Sequence, residues 1–327
     1  MQSSQKNTLN DIYKKISSVV PEIEWKVHAP LIEKINKLKK DKNAVILAHN
    51  YQTPEIYHGV ADISADSLAL AVEASKTTAD IIVLCGVHFM AETAKLMNPE
   101  KKVLIPDMDA GCSLASSITG EDVRMLKEKY PGVPVVSYVN TSAEVKAETD
   151  ICCTSANAVK VVESLGVDKV IFLPDHYLAN YVQKNTKVKI ISWQGTCIVH
   201  EKFTAKEIED IRKENPDIKI IAHPECPPDV ISASDFAGST SNMVEYVKEN
   251  QPKKVLLVTE CTMSDNVQVE NPNVKFIKPC NLCPYMNKIT LQKIYDCLEN
   301  ESNEIKISHN IAAMARKSVQ RMTAIGR

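Results

Sequence analysis

Aromatic residues make up only 5% of the 327-residue chain, with two tryptophans and five phenylalanines. The 39 lysines and arginines are nearly balanced by 41 aspartates and glutamates, for a net charge of −2. A nucleic-acid binder needs a basic face with stacking rings; the chain lacks both, so no nucleic-acid partner is expected. No apolar run approaches the roughly 18 residues that would span a bilayer. The opening stretch MQSSQKNTLNDIYKK has none of the apolar core of a secretory signal. No membrane partner is expected, and the chain reads as cytoplasmic. Low-complexity linkers are missing too, which predicts closely packed units.

Cysteine, by contrast, occurs ten times. In the cytoplasm disulfides are rare, so metal or redox chemistry is expected for some of these residues and plain burial for the others. Three cysteines end similar stretches: KKVLIPDMDAGC (101–112), TKVKIISWQGTC (186–197) and PNVKFIKPCNLC (272–283). Each stretch opens on a polar residue, runs through a short β-branched strand and reaches its cysteine a few residues later. The cysteines lie 85 and 86 residues apart, a period that marks a copied structural unit. The other strands follow the same period. AVILAHN, PVVSYVN and KIIAHPE match one another, as do DIIVLCG, KVIFLPD and KVLLVTE.

Strands that read as near-continuous apolar runs between helices indicate parallel sheets covered on both faces. The expected fold class is therefore α/β: three pseudo-threefold-related αβα sandwich domains with short parallel sheets around a central active site. The expected boundaries are 1–112 for N-terminal helices and the first repeat, 113–197 for the second and 198–283 for the third. Residues 284–327 form a C-terminal helical tail packing on the repeats. Each repeat is expected to run strand, helix, strand, helix, strand. More locally, the lysine-rich run 37–42 reads as a solvated helix face, residues 64–67 as a helix N-cap, residues 146–151 as an extended piece, and Gly166 as a helix C-cap.

Sites in such sheets lie at the carboxyl ends of the strands, where the polar residues of this chain collect. Three thiolates with no fourth protein ligand suit an iron–sulfur cluster with one open iron. Zinc held by three cysteines plus water or histidine is the alternative. Cys280 pairs with Cys283 in a CxxC, and the period selects Cys283 as the ligand. The first strands end in His49 and Tyr51, Tyr138 and Asn140, and His223 and Glu225. Residues two apart project to one side of an extended segment, which makes these an acid–base and hydrogen-bonding set. Ser67, Ser155 and Thr240 each open the following helix, where three N-termini facing one axis would bind an anion.

The motifs His49-Asn50-Tyr51-Gln52, Ser137-Tyr138-Val139-Asn140-Thr141, Cys153-Thr154-Ser155-Ala156-Asn157, Gly195-Thr196-Cys197-Ile198-Val199-His200, His223-Pro224-Glu225-Cys226, Gly238-Ser239-Thr240-Ser241 and Cys283-Pro284-Tyr285-Met286 resemble those of the A-type quinolinate synthase family. The resemblance runs from about residue 30 to the C-terminus. It implies one [4Fe–4S] cluster bound by Cys112, Cys197 and Cys283. It also implies condensation of iminosuccinate with dihydroxyacetone phosphate to quinolinate, on the route to NAD, and a functional link to an L-aspartate oxidase or dehydrogenase. His49, Ser67, Tyr138, Val139, Asn140, Ser155, His223, Pro224, Glu225 and Thr240 would bind substrate. Tyr51, His49, His223, Glu225 and Tyr138 would be catalytic, with His200 near the site. Some members carry CxxCxxC ending at the last ligand; here the first of those positions is Ile277.

Overall fold

The structure is a computed structural model that describes residues 8–278 and 281–326. Cys280 lies outside the described residues. Two helices lead in, α1 (Leu9–Ile16) and α2 (Glu22–Asp41). The first unit follows as β1 (Ala44–His49), α3 (Pro54–Tyr57), β2 (Ile63–Ala65), α4 (Ser67–Lys76), β3 (Ile81–Cys85), α5 (His88–Met97) and β4 (Lys102–Leu104). The second comprises α6 (Gly120–Lys129), β5 (Val135–Tyr138), α7 (Ala143–Ala147), β6 (Ile151–Cys153), α8 (Ala158–Ser164), β7 (Lys169–Leu173), α9 (His176–Asn185) and β8 (Lys189–Ser192). The third comprises α10 (Ala205–Glu214), β9 (Ile218–Ala222), α11 (Pro228–Ala233), β10 (Phe236–Ala237), α12 (Thr240–Asn250), β11 (Lys254–Val258), α13 (Thr262–Glu270) and β12 (Lys275–Ile277). Helices α14 (Leu291–Asn300) and α15 (His309–Ile325) close the chain.

Among the described residues the three sheets share one topology: β2-β1-β3-β4, β6-β5-β7-β8 and β10-β9-β11-β12, all parallel. The fold class expected from the repeat is the fold observed. Each sheet has a fourth strand beyond the three expected, and it is an edge strand of only two or three residues, too short to show any periodicity.

Alternation along the third sheet shows why both faces are closed. Ile220, Ala222, Leu256 and Val258 pack with Phe203, Ile208 and Val230 on one side. Their neighbours Ile221, Val255 and Leu257 pack with Met243, Val247, Met263 and Val267 on the other. Successive side chains leave opposite faces of a strand, so an unbroken apolar run fills two cores at once. The largest buried cluster joins the first and second units to the tail through residues such as Ile82, Phe172 and Val319. Helix α15 packs against α5, α7 and β6, and α14 against α2.

Two local expectations fail. Residues 146–151 are not one extended piece: Ser142 caps α7 by accepting from Val145 N, and the strand begins only at Ile151. Lys39 leaves the solvated run 37–42; it is buried, and its Nζ donates to Val60 O at 2.7 Å and Asp62 Oδ1 at 2.8 Å. The N-cap expected within residues 64–67 is Asp66, which accepts from Ala69 N at 2.8 Å, so Ser67 is the first helical residue. Gly166 does sit past α8 with φ +61°, the left-handed conformation that suits glycine.

Candidate active site

The carboxyl ends of β1, β5 and β9 deliver His49, Tyr138 and His223 to one buried cavity of about 80 Å³. Tyr51, Asn140 and Glu225 join its wall two residues further along each chain segment. Ser67, Ser155 and Thr240 line it as well, as do Cys112, Cys197 and Cys283. Two of the residues expected to touch substrate stand behind the wall: Val139 and Pro224 are buried but do not line the cavity. The apolar side of the wall comes from Phe89, Met90, Tyr285 and Met286, which the strand motifs did not reveal.

The helix-opening hydroxyls differ from one another. Thr240, like Ser67, is the first residue of its helix, and the cap is its neighbour: Ser239 accepts from Asn242 N at 3.3 Å. Capping by Asp66 and Ser239 satisfies an orphan N–H of each helix and leaves Ser67 and Thr240 free of that task. Thr240 Oγ1 lies 3.0 Å from Asn50 Nδ2. Ser155 sits three residues before α8, in a turn, with its Oγ 3.2 Å from His223 Nε2.

Glu225 is the centre of the polar network. Tyr138 Oη donates to its Oε1 at 2.5 Å, and His200 Nδ1 lies 2.8 Å from its Oε2. Burial alone would push this carboxyl up; His200 and His223, with the bonds from His200 and Tyr138, hold it well below the usual carboxylate range. His200 and His223 stack with ring centroids 4.7 Å apart. Burial lowers His223 to about 3 and His49 to about 4, against weaker upward pulls from Glu225 on His223 and from Asp66, then Glu225, on His49. Both imidazoles are therefore neutral at physiological pH; Nδ1 accepts from Tyr51 N in His49 and from Glu225 N in His223, so each ring carries its hydrogen on Nε2. Burial and the Glu225 charge raise Tyr51 and Tyr138 well above the ordinary phenol value, so both keep their protons. Asn140 Oδ1 is buried with no partner among the described residues, an acceptor left for a ligand.

The cysteines fit a metal cluster by the chemistry of their donors. Cys112, Cys197 and Cys283 are free thiols on one cavity wall. Burial raises all three, Cys112 to about 12. A thiol that resists ionisation is a poor nucleophile, whereas a bound cation deprotonates a coordinating thiol outright. Cys197, His200 and Glu225 also bring ligand atoms within 4.8 Å of one another. That mixed set is a weaker metal site, because His200 Nδ1 faces acceptors and Nε2 lies 2.9 Å from Thr259 Oγ1, leaving no free lone pair. Behind Cys283, the buried Glu260 accepts from the Cys283 N–H at 3.4 Å and from Thr262 Oγ1 at 3.0 Å; burial raises its carboxyl to about 7.

Three parallel αβα units closing on one buried cavity of acid–base groups and thiols define a small-molecule enzyme. The chain belongs to the quinolinate synthetase A protein family, whose profile matches residues 33–324. It is 60% identical to a Sinorhizobium fredii protein described as quinolinate synthase, over 95% of this chain and 87% of that one. A quinolinate synthase of Xylella fastidiosa is 63% identical over 90% of this chain and 87% of its own length. One of Caulobacter vibrioides is 58% identical over 95% and 86%. None of the helices among the described residues is long and apolar enough to cross a membrane.

Proposed function

We propose that this enzyme condenses iminosuccinate with dihydroxyacetone phosphate to quinolinate, releasing phosphate and water, in the route to NAD. The observation that carries the reading is the meeting of three free cysteines with His49, Tyr51, Tyr138, His223 and Glu225 on one cavity wall, within a chain of this family. The substrates bring two carboxylates and a phosphate. Ser67, Ser155, Asn140 and Thr240 supply neutral hydrogen-bonding groups for them, and α4 and α12 add the partial positive charge of their N-termini.

Cys112, Cys197 and Cys283 would hold a [4Fe–4S] cluster, which when bound supplies an open iron able to polarise a substrate oxygen. The protein's own groups do the remaining work. Neutral His223, its Nδ1 held by the Glu225 N–H, presents its Nε2 hydrogen to a substrate oxygen, and Ser155 keeps its ring in place. Glu225 stays charged and stabilises whichever imidazole becomes protonated. Tyr51 and Tyr138 return protons to departing oxygens, since their raised pKa values keep them in the acid form. Phe89, Met90 and Tyr285 keep bulk water from the reactive imine, which would otherwise hydrolyse. An L-aspartate oxidase or dehydrogenase would supply that imine.

The test is anaerobic assay of iron-loaded protein with dihydroxyacetone phosphate and freshly generated iminosuccinate. Quinolinate and phosphate in equal amounts are expected. Fully iron-loaded protein that yields no quinolinate would overturn the reading.

A further inference from the structure

Each of the three cysteines proposed as ligands opens a short turn of its own. The carbonyl of Cys112 accepts from Ser116 N at 3.0 Å, that of Cys197 from Glu201 N at 3.0 Å and that of Cys283 from Asn287 N at 3.1 Å. These bonds shape each loop but stay within it. A group held from three loops also needs the loops at fixed separations, and contacts that cross between them must supply that.

Ser113 makes such a contact. It follows Cys112 and lines the cavity, and its hydroxyl brackets the next cysteine. Oγ donates to Thr196 O at 3.1 Å and accepts from Ile198 N at 3.2 Å. Backbone groups on either side of Cys197 thus end on one atom of the residue beside Cys112. They lie 83 and 85 residues away in sequence. The two loops are pressed together here. A Cβ on Gly195 would stand 2.5 Å from Ser117 Oγ and 2.7 Å from Pro174 O, closer than a side chain allows. Trp193 Nε1 donates to Ser117 O at 2.9 Å. Trp193 and Gly195 bring the chain onto the turn after Cys112, and Ser113 fixes it around Cys197 itself.

The same bonds separate Ser113 from the chemistry. A serine hydroxyl has one hydrogen, and Thr196 O takes it, so none is left for a substrate oxygen. The residues after the other two cysteines are Ile198 and Pro284, which have no side-chain donor. The contact therefore occurs once and is not part of the copied unit.

We propose that Ser113 is a positioning residue that clamps the Cys197 loop to the Cys112 loop, setting the separation of two cluster-binding thiols and slowing the loss of iron. This rests on the reading of Cys112, Cys197 and Cys283 as ligands under the proposed function.

The experiment challenges anaerobic, iron-loaded full-length protein with excess EDTA and follows released iron and fading colour together. Ser113→Ala loses both bonds and should release iron about tenfold faster than wild type. Ser113→Thr keeps the hydroxyl and should stay within about threefold of wild type. Ser116→Ala removes an exposed hydroxyl from the same turn but keeps the backbone bond to Cys112 O, and should match wild type. Metal-free Ser113→Ala should melt within about 4 °C of metal-free wild type, which distinguishes a clamp on the loops from a general loosening of the fold. Assayed before iron is lost, Ser113→Ala should keep kcat within about threefold of wild type.

Iron release from Ser113→Ala at the wild-type rate, equal acceleration in Ser116→Ala, a threonine variant without rescue, or a much lower metal-free melting point would each overturn the proposal. A fall in kcat with iron release unchanged would place the hydroxyl on the substrate and overturn it too. Wild-type protein that takes up no iron would remove the clamp together with the ligand set it rests on. If loaded wild type makes no quinolinate while the variants rank as stated, the condensation fails and the clamp stands.

Discussion

Tyr138 and Glu225 come from different units, 87 residues apart, and meet with Oη 2.5 Å from Oε1. Both are buried, and the phenol is one of two groups that hold the carboxylate in place. Tyr138→Phe keeps the ring and removes only the donor. We expect kcat for quinolinate formation to fall by about 10² to 10³, in the range of lost acid–base assistance. The thermal midpoint should fall by only a few degrees. A kcat within threefold of wild type would remove Tyr138 from the proton-transfer set.

The three thiols predict a pattern of iron loss. Cys112→Ser, Cys197→Ser and Cys283→Ser should each leave the anaerobically purified protein without its full complement of about four irons and without turnover. Cys226, also buried, bonds the backbone of β11 with its Sγ 3.5 Å from Val258 O, and does not line the cavity. Cys226→Ser should keep iron and colour. Iron retained in any of the first three variants, measured by metal analysis, would exclude that residue as a ligand.

Sequence pattern reached as far as the copied unit reached. Helix α6 and strand β9 have their ends marked in the sequence: Thr119 caps α6, and β9 is a continuous apolar-rich run between turns. The cysteines and His49, Tyr138 and His223 were legible because each recurs at the period of the repeat. Helix α7 was not, because five residues give no helical period and the buried Lys146 looks like surface; its Nζ lies 5.5 Å above the Phe89 ring. Thr259 and Asn266 escaped notice for another reason. Their partners lie in another unit, about two hundred residues away, and no local pattern encodes such a contact.

Asn266 shows what such a contact does. From α13 its Nδ2 donates to Asn50 O at 3.1 Å and Gln52 O at 2.7 Å. Those carbonyls flank Tyr51, and Gln52 N closes the turn on His49 O at 3.0 Å. Asn266→Asp keeps the shape but sets acceptor oxygens against two buried carbonyls. Each unsatisfied buried group costs about 1–3 kcal/mol, so denaturant unfolding should show a loss of roughly 2–5 kcal/mol, together with a fall in kcat as Tyr51 shifts. Unchanged stability would mean that the turn is held by other contacts.

Acid should weaken the fold through His58, away from the cavity. Its side chain is 2% exposed, Nε2 has no partner among the described residues, and Glu270 Oε1 is 4.0 Å from Nδ1. Glu270 is itself held by Lys15 at 2.6 Å. Burial, then Lys15, lowers His58 from 6.5 to about 4, and Glu270 offsets only part of this. The unfolded chain therefore binds a proton below 6.5 that the folded chain refuses until about 4. Stability from this group is complete above 6.5 and falls as pH drops through that window. His49 and His223 add to the same slope. His58→Gln removes one share of it. Between pH 7.5 and 5.5, wild type should lose about 1.4 kcal/mol more than the variant, read from urea unfolding at each pH. Equal losses would mean that His58 takes up its proton in the folded protein as readily as in the unfolded chain.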